Sequence, residues 1–426
     1  MTYKEARALL DRLPRFEVKP GLERIERLLR AVGLPQAMYP AIHVAGTNGK
    51  GSVVAMLDAI LRAAGHRVGR YTSPELLDFR DRITVNGRWL SEHEWAAGIR
   101  RLAPAITSAE DVPAQFEAIT ALALDAFARA GVDLAVVEVG LGGRFDATSV
   151  VRPILTLLTN VDLDHTALLG DSVEEIAQEK VGIARSGVPF LTGRLQESVE
   201  AIVDAECENV GAERVRDAVP ALRPGGQGEV GPIYRAEAPD LPACIELALH
   251  GSFQQENLAL VLGSIRILRE KGWTIPNDAV TAGLRTVEWP GRFEIVRRRP
   301  LVILDGAHNP SGARALAREA KRLQPDLSKR KLVLGVLADK DVPGIAEALV
   351  LSFSEVLAVK SESPRALASE SLAEIVQQFG GTVTCYDSLS GALRPRLPAA
   401  PDDELWIVAG SLTTVGEARA IVEDLG

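Results

Sequence analysis

Apolar residues in this chain come in short unbroken runs without strict alternation, and most runs pass through glycine into a stretch with helical spacing. AIHVAG leads through GTNGKG into SVVAMLDAILRAAG. LAVVEVG precedes LGGRFDATS, and PILTLLTNV precedes DLDHTALLG and the helix-like SVEEIAQEKVGIARSG. Strands that lack alternation are buried on both faces, as in a parallel sheet covered by helices. The pattern therefore predicts an α/β fold. Regularity weakens over residues 195–248, where ALRPGGQGEVGPIY reads as a loop, so a peripheral excursion is expected there. Helical spacing returns from Gln254 to Glu270. EWPGRFEIVRRRP, residues 288–300, then sets proline, glycine and four arginines between two periodic regions, which predicts a domain junction. Beyond it LVILDGAHNP leads into SGARALAREAKRL and KLVLGVLADKD into VPGIAEALV, followed by strand-like EVLAVK and ELWIVAGS. The expected division is a first domain over residues 1–288, a junction at 289–299 and a smaller parallel-sheet domain over 300–426.

Length agrees with this division, because 426 residues exceed what one compact core holds. A formal net charge of −9 argues against a protein that coats nucleic acid, although a local basic pocket can still hold an anion. The three cysteines, Cys207, Cys244 and Cys385, lack metal-ligand spacing and read as thiols in a reducing compartment. The first residues carry charge throughout and have no apolar signal-peptide core, and no run is long enough to cross a bilayer. A soluble cytoplasmic protein without nucleic-acid or membrane partners is expected. A monomer is expected as well, since no exposed apolar helix stands out.

The chemistry starts at HVAGTNGKGS, residues 43–52. It departs from the usual phosphate-loop spelling G-x-x-x-x-G-K-[ST], because Val44 stands where the first glycine belongs and the hydroxyl arrives one place late, at Ser52. A buried strand running into glycines and then a helix still aims backbone N–H groups at an anion, and the helix N-terminus adds partial positive charge. Gly46, Gly49 and Gly51 let the main chain approach phosphate oxygens. Lys50 can meet the β/γ oxygens as a point charge, while Ser52 can touch magnesium or a phosphate. An ordinary glycine-rich turn with a solvated lysine is the alternative, and the flanking strand, helix and hydroxyl weigh against it.

Gly46-Thr47-Asn48-Gly49-Lys50-Gly51-Ser52 resembles the shorter ATP loop of the Mur-ligase family, in its folylpolyglutamate synthase/dihydrofolate synthase branch. Further blocks follow in the family's order: YTSPEL (71–76), QFEAIT (115–120), EVGLGGRFDAT (138–148), DLDHTALLG (162–170) and EKVGI (179–183). GSFQQEN (251–257), WPGRFE (289–294), DGAHNP (305–310), DKD (339–341) and GSL (410–412) complete the series. The resemblance spans nearly the whole chain. It implies an N-terminal P-loop NTPase-like Mur-ligase ATPase domain followed by a smaller Rossmann-like α/β C-terminal domain. The implied activity is an ATP- and magnesium-dependent amide ligase that couples L-glutamate to the carboxylate of dihydropteroate or a folyl-polyglutamate, through an acyl phosphate. Transfer of the γ-phosphoryl group gathers negative charge, so such a site needs metal ions and preorganised cationic donors.

The residues supply candidates. Glu138 ends an apolar strand, where a parallel sheet opens its ligand crevice, and can bind magnesium; pairing with Arg144 or Lys50 is the alternative. His165 follows Asp162 and Asp164 and is by itself equally a loop hydrogen-bonder; the resemblance makes it a ligand of a second magnesium. Ser73 reads as a turn hydroxyl before proline, and the resemblance makes it a ligand of the first magnesium. Glu75 stands where relatives commonly have histidine. Lys180 lies on a helix that would normally present a solvated lysine, and the resemblance implies that it is carbamylated. Lys50, Lys180, His165 and Glu138 are thus the expected catalytic set.

Thr47, Asn48, Gly49, Lys50, Gly51 and Ser52 are expected to contact the nucleotide. Asn257 is a capping amide, Arg292 a linker arginine and Asp305 a turn carboxylate on sequence grounds, and the resemblance makes all three ATP contacts. His308 is expected to hold its loop against nucleotide or substrate. The resemblance also places a pterin loop near Gln115, where Phe116 offers a stacking face and Glu117 an acceptor for ring N–H groups. Relatives carry Thr-hydrophobic-Phe-Glu there, whereas this chain has Pro113-Ala114-Gln115-Phe116-Glu117. Phe145, Asp146 and Ala147 occupy a matching substrate-facing turn, followed by Thr148 and by Ser149 where relatives have Asn. ATP is expected between the domains on the loop side, with glutamate near the second domain and closure excluding water.

Rival readings are a ligase acting on a UDP-linked cell-wall precursor, a P-loop kinase or switch, and an inactive scaffold. The first carries an extra N-terminal domain, for which a loop at residue 46 leaves no space. The second leaves the second α/β domain, Glu138 with His165, and Lys180 unexplained. The third fits poorly with so many candidate polar groups.

Overall fold

Strand β1 (Ala41–Ala45) is buried at every position, which is why its sequence shows no alternation. The computed structural model describes residues 1–15 and 21–425. Among them, β1 joins β2 (Val68–Tyr71), β3 (Ile83–Val85), β4 (Arg88–Trp89), β5 (Leu134–Glu138), β6 (Pro153–Leu158), β7 (Pro189–Thr192) and β8 (Glu213–Val215). They form one sheet in the order β4-β3-β2-β5-β1-β6-β7-β8. The run from β2 to β8 is parallel, and β3 and β4 add antiparallel pairs at one edge. β1 connects through the helix Lys50–Ala63 to β2 on one side, while β5 connects to β6 on the other. That reversal opens a crevice at the carboxyl ends of β1 and β5, where Val44 and Glu138 are register partners.

The chain divides into two compact units. One comprises Met1–Asp162, Thr166–Ala248 and Gln255–Val287, and the other Leu163–His165, Leu249–Gln254 and Glu288–Gly426. The second unit contains β12 (Glu294–Arg298), β13 (Leu301–Leu304), β14 (Arg330–Leu334), β15 (Glu355–Val359), β16 (Val383–Tyr386) and β17 (Leu405–Ala409), after β9 (Leu222–Gln227), β10 (Pro232–Ala236) and β11 (Ile245–Glu246) of the first. Its sheet runs β12-β13-β17-β14-β15-β16, parallel except for β12. The arginine-rich stretch 289–299 therefore carries an edge strand, and charge suits an edge that must not pair with another chain.

Residues 195–248 hold more regular structure than their sequence suggests. The helix Glu197–Val210 buries Val199, Val203 and Cys207 at a spacing of four, and β8 extends the main sheet. β9, β10 and β11 form a small antiparallel sheet. β9, LRPGGQ, has no fully buried position, so it offers no apolar pattern to read. No helix among the described residues is long and apolar enough to cross a membrane.

Two features of the first unit generate predictions. Helix Asn277–Thr286 lies so close to helix Lys50–Ala63 that a Cβ at Gly283 would stand 2.6 Å from the Ile60 backbone. Alanine improves helix propensity by about 1 kcal/mol, but overpacking of this kind costs roughly 1–3 kcal/mol. Gly283→Ala is expected to lower the urea midpoint; a raised midpoint would show that the helices can separate freely. The second feature is His43, a fully enclosed polar side chain on β1. Burial, followed by the Arg185 charge, lowers its pKa from 6.5 to about 3. The unfolded chain then binds a proton that the native chain refuses, so stability is complete above pH 6.5 and is lost as pH falls toward 3. The slope is at most about 1.4 kcal/mol per pH unit. Unfolding measured from pH 7 to 4.5 is expected to show this slope in the native sequence and to lack it in His43→Gln; identical slopes would refute a buried neutral imidazole.

Candidate active site

After β1 the chain turns through Gly46 at φ +146 and Gly49 at φ +84, conformations that side chains other than glycine rarely adopt. The residues leaving β6 hold this turn. Thr47 N–H donates to the Asn160 carbonyl (2.9 Å), Asn48 N–H to Asn160 Oδ1 (2.9 Å), and the Thr159 hydroxyl to the Asn48 carbonyl (2.6 Å). Thr47 Oγ1 accepts from Asp162 N–H at 3.0 Å. Gly49 stands at the N-cap of helix Lys50–Ala63 and brings no capping side chain, which suits a helix start that receives an anion. Lys50 Nζ donates to the carbonyls of Gly46 (2.9 Å) and Thr47 (3.1 Å).

Lys180 Nζ reaches the same Gly46 carbonyl, at 3.1 Å. This side chain is 5% exposed, contrary to the solvated lysine its helix suggests. The reason is its place on helix Val173–Val181, four residues after Ile176 and three after Ala177, on the buried face. Two lysine side chains from different helices thus share one carbonyl oxygen at the turn. Asn257 lies in the first turn of helix Gln254–Glu270, past the capping position, and a Cβ at Gly49 would collide with its amide.

Glu138 is the last residue of β5 and is 4% exposed. Its Oε2 accepts the Ser73 N–H at 3.3 Å, so the fold brings these two candidates together through the adjacent strands β2 and β5. Arg144 pairs elsewhere, with Glu206 at 2.8 Å. Glu75 pairs with Arg82, whose Nε donates to Oε2 at 2.6 Å. Among the described residues no group of three or more His, Cys, Asp or Glu side chains is arranged to hold a metal ion. The hydroxyls of Ser52 and Ser73 and the carboxylate of Glu138 are hard oxygen donors, the type magnesium takes when phosphates complete its shell.

The proposed pterin loop is built differently from its motif. Glu117 receives Arg24 Nε on both carboxylate oxygens (3.1 and 3.0 Å) and the Ala114 N–H at 2.6 Å. Gln115 Nε2 donates to the Leu10 carbonyl at 3.0 Å. Both side chains are buried and tie helix Gln115–Ala130 to the N-terminal helices. Phe116 packs against Gly140, whose Cβ would stand 2.5 Å from its ring, and lies 6.0 Å from the Tyr71 ring centre. Phe145, by contrast, is 49% exposed, while its neighbours Asp146 and Ala147 are buried.

In the second unit His165 has a left-handed backbone, φ +53, and its Nε2 accepts from Lys340 Nζ at 3.2 Å. Asp164 accepts from Lys340 (2.9 Å) and Asn309 Nδ2 (3.1 Å), and His308 Nε2 stands 3.6 Å away, an ion-pair distance longer than a hydrogen bond. Burial pushes the Asp164 carboxyl up, but His308 and Lys340 outweigh it and hold the group far below the usual carboxylate range. His308 Nδ1 donates to the Gly306 carbonyl at 2.7 Å, which fixes its ring. Asp305 accepts from Phe293 N–H (2.8 Å) and Ala307 N–H (2.9 Å) and so fastens two turns; burial raises its pKa and Arg292 opposes that rise. Asp164, Lys340 and Asn309 received no role from the sequence. The second acid of VDLDH and the lysine inside DKD were the available signals.

Residues 44–189 match the Mur ligase middle domain and residues 291–412 the Mur ligase, glutamate ligase domain. The chain is 38% identical over 427 residues to a "Probable bifunctional folylpolyglutamate synthase/dihydropteroate synthase" of Halobacterium salinarum, an overlap of 98% of this chain and 51% of that protein. It spans about half the length of the two archaeal relatives it matches in this way. It is 37% identical over 460 residues to the "Dihydrofolate synthase/folylpolyglutamate synthase" of Mycobacterium tuberculosis, covering 97% and 92% of the two chains. The structure of Mycobacterium tuberculosis folylpolyglutamate synthase complexed with ADP matches with a TM-score of 0.90 at 35% identity, over 99% of this chain and 98% of that one. E. coli FolC in complex with DHPP and ADP matches at 0.88 and 29%, over 100% and 98%. With identities of this size over nearly its whole length, this chain belongs to the folylpolyglutamate synthase/dihydrofolate synthase family of Mur ligases.

Proposed function

We propose that the chain is an ATP-dependent ligase that couples L-glutamate to the carboxylate of dihydropteroate or a folyl-glutamate. The observation that carries this reading is the convergence of Lys50 and Lys180 on the Gly46 carbonyl, at a helix start that lacks a capping side chain. The triphosphate would lie along residues 46–52, with Lys50 turned from the Gly46 and Thr47 carbonyls onto the β/γ oxygens. Asn257, beside Gly49, would contact the nucleotide. Ser73 and Glu138 would hold magnesium, with Ser52 beside the phosphates. When bound, magnesium neutralises charge that develops on the transferring phosphoryl group.

The substrate carboxylate oxygen attacks the γ-phosphorus and ADP leaves. The neutral amine nitrogen of glutamate then attacks the acyl carbon, inorganic phosphate departs with its bridging oxygen, and the nitrogen gives up one proton to phosphate or solvent. Carbamylation of Lys180 fits its surroundings, because the carbamate keeps one N–H for the Gly46 carbonyl and gains an anionic oxygen pair for a cation. His165 remains the proposed ligand of a second cation, a role that requires Lys340 to leave its Nε2. Phe145, with Asp146 and Ala147 beneath it, is the proposed platform for the ring of the acid substrate. Gln115, Phe116 and Glu117 remain the proposed pterin loop, with Phe116 packed on Gly140. Arg292, Asp305 and His308 remain proposed contacts of the nucleotide or the amino acid. A monomer in the cytoplasm completes the reading.

ADP release in magnesium buffer, with dihydropteroate and mono-glutamyl tetrahydrofolate assayed side by side, tests it. Turnover is expected only when glutamate and at least one of these acids are present; release without an acid acceptor would favour a kinase or switch. Lys50→Met is expected to lower kcat by roughly 10²–10³-fold, the usual effect of removing one preorganised donor. Lys180→Ala is expected to fall similarly and to recover in part with added acetate. Full activity of Lys180→Ala without acetate or bicarbonate would sink the carbamate.

A further inference from the structure

The loop between β5 and β6 is anchored at three points and leaves one apolar side chain outside. Gly143 lies under the end of the helix that carries Lys180, where a Cβ would stand 2.6 Å from the Glu179 carbonyl oxygen and 2.7 Å from that of Lys180. Arg144 N–H donates to the Glu179 carbonyl at 3.0 Å, and its guanidinium pairs with Glu206. Asp146 accepts the N–H groups of Leu141 and Thr148, both at 2.9 Å. Phe145, held between these anchors, is the exposed side chain.

Behind Asp146 a buried relay runs back to β1. The Thr148 hydroxyl donates to Asp146 Oδ1, and its oxygen stands 2.8 Å from His43 Nε2. A hydroxyl has one proton. Given to the carboxylate, it leaves the oxygen to accept, so the proton of His43 belongs on Nε2. Nδ1 is buried with no hydrogen-bond partner, an environment that penalises an N–H more than a lone pair and points to the same tautomer. An aliphatic residue would suit this central strand better, since burying a polar ring costs free energy that packing alone does not return.

We propose that His43 is a positioning residue for the acid substrate. Acting through Thr148 and Asp146, it fixes the Phe145 loop relative to the phosphate loop, which begins three residues after His43 itself. The proposal rests on the ligase reading for its kinetic consequence, while its geometry can be tested without turnover.

The test compares His43→Leu and Thr148→Val, which break the relay, with His43→Gln and Thr148→Ser, which keep a donor or a hydroxyl in place. The breaking pair is expected to raise KM for dihydropteroate or tetrahydrofolate roughly tenfold, the worth of one hydrogen bond, with kcat and KM for ATP within about threefold. The conserving pair is expected to stay near the native value. Equal KM in all four, or His43→Gln failing as badly as His43→Leu, would overturn the relay. If His43→Leu does not fold, Thr148→Val against Thr148→Ser carries the comparison. Two readouts decide the matter even if no acid supports turnover. Long-range ¹H–¹⁵N spectra of histidine-labelled protein are expected to show His43 protonated at Nε2, and an Nδ1–H signature would refute it. Hydrogen exchange of the Leu141 and Thr148 amides is expected to quicken about tenfold in the breaking pair only; unchanged exchange would likewise refute it.

Discussion

One carbonyl oxygen, that of Gly46, organises the first unit's site. Lysines from two different helices donate to it, and its residue has a backbone conformation and a side-chain vacancy that only glycine tolerates, with Thr159 packed where a Cβ would go. The helix that follows starts without a capping side chain, and the partial positive charge of a helix start favours an anion. A structural turn would be more stable with a serine or aspartate cap and with its lysines in solvent.

The sheet order decides which residues can share that oxygen's neighbourhood. Because β1, β5 and β2 are adjacent and parallel, their carboxyl ends and the segments that follow emerge side by side, although they lie at residues 46–52, 138–147 and 72–75. Parallel pairing thus places one basic, one acidic and one hydroxyl-bearing segment at one edge, with no need for closeness in sequence. The same geometry explains why the loop carrying Phe145 can be locked from β1 by a single histidine: His43 on β1 and Val137 on β5 are register partners, one strand spacing apart.

Much of this was legible in the sequence. Unbroken apolar runs ending in glycine marked the central strands, since burial on both faces removes alternation, and GTNGKGS marked the glycine turn into helix Lys50–Ala63 despite its spelling. Burial of Lys180 is legible too, from its spacing after Ile176, although a charged residue on a helix reads as solvated. Other features had no signal to give. β9 is glycine and proline without an apolar face, and the assignment of Leu163–His165 to the second unit follows from tertiary packing alone. Residues 294–298 read as linker because arginines interrupt the apolar run, yet an edge strand needs only one good face and one partner.

Glu117 shows why a motif that carries a carboxylate does not by itself place that carboxylate in a ligand pocket. A buried acid needs a partner to offset desolvation, and Arg24, equally buried, meets it on both oxygens. Removing Arg24 would leave the Glu117 carboxylate buried without this cation, so the pair can persist through selection on folding alone. Asp164 belongs to the same physical class, with Lys340, Asn309 and His308 around it, and its partners hold it ionised against burial. The two differ in what the partners leave over. Around Glu117 the surrounding donors are consumed in joining helices. Around Asp164 they include Lys340, which also holds the Nε2 lone pair of His165, a ring on a left-handed backbone. A cation that bound this imidazole would have to displace the lysine, which would keep Asp164 as its partner. A lysine shared between a carboxylate and an imidazole thus couples those two groups, whereas the pair of Arg24 and Glu117 joins helices.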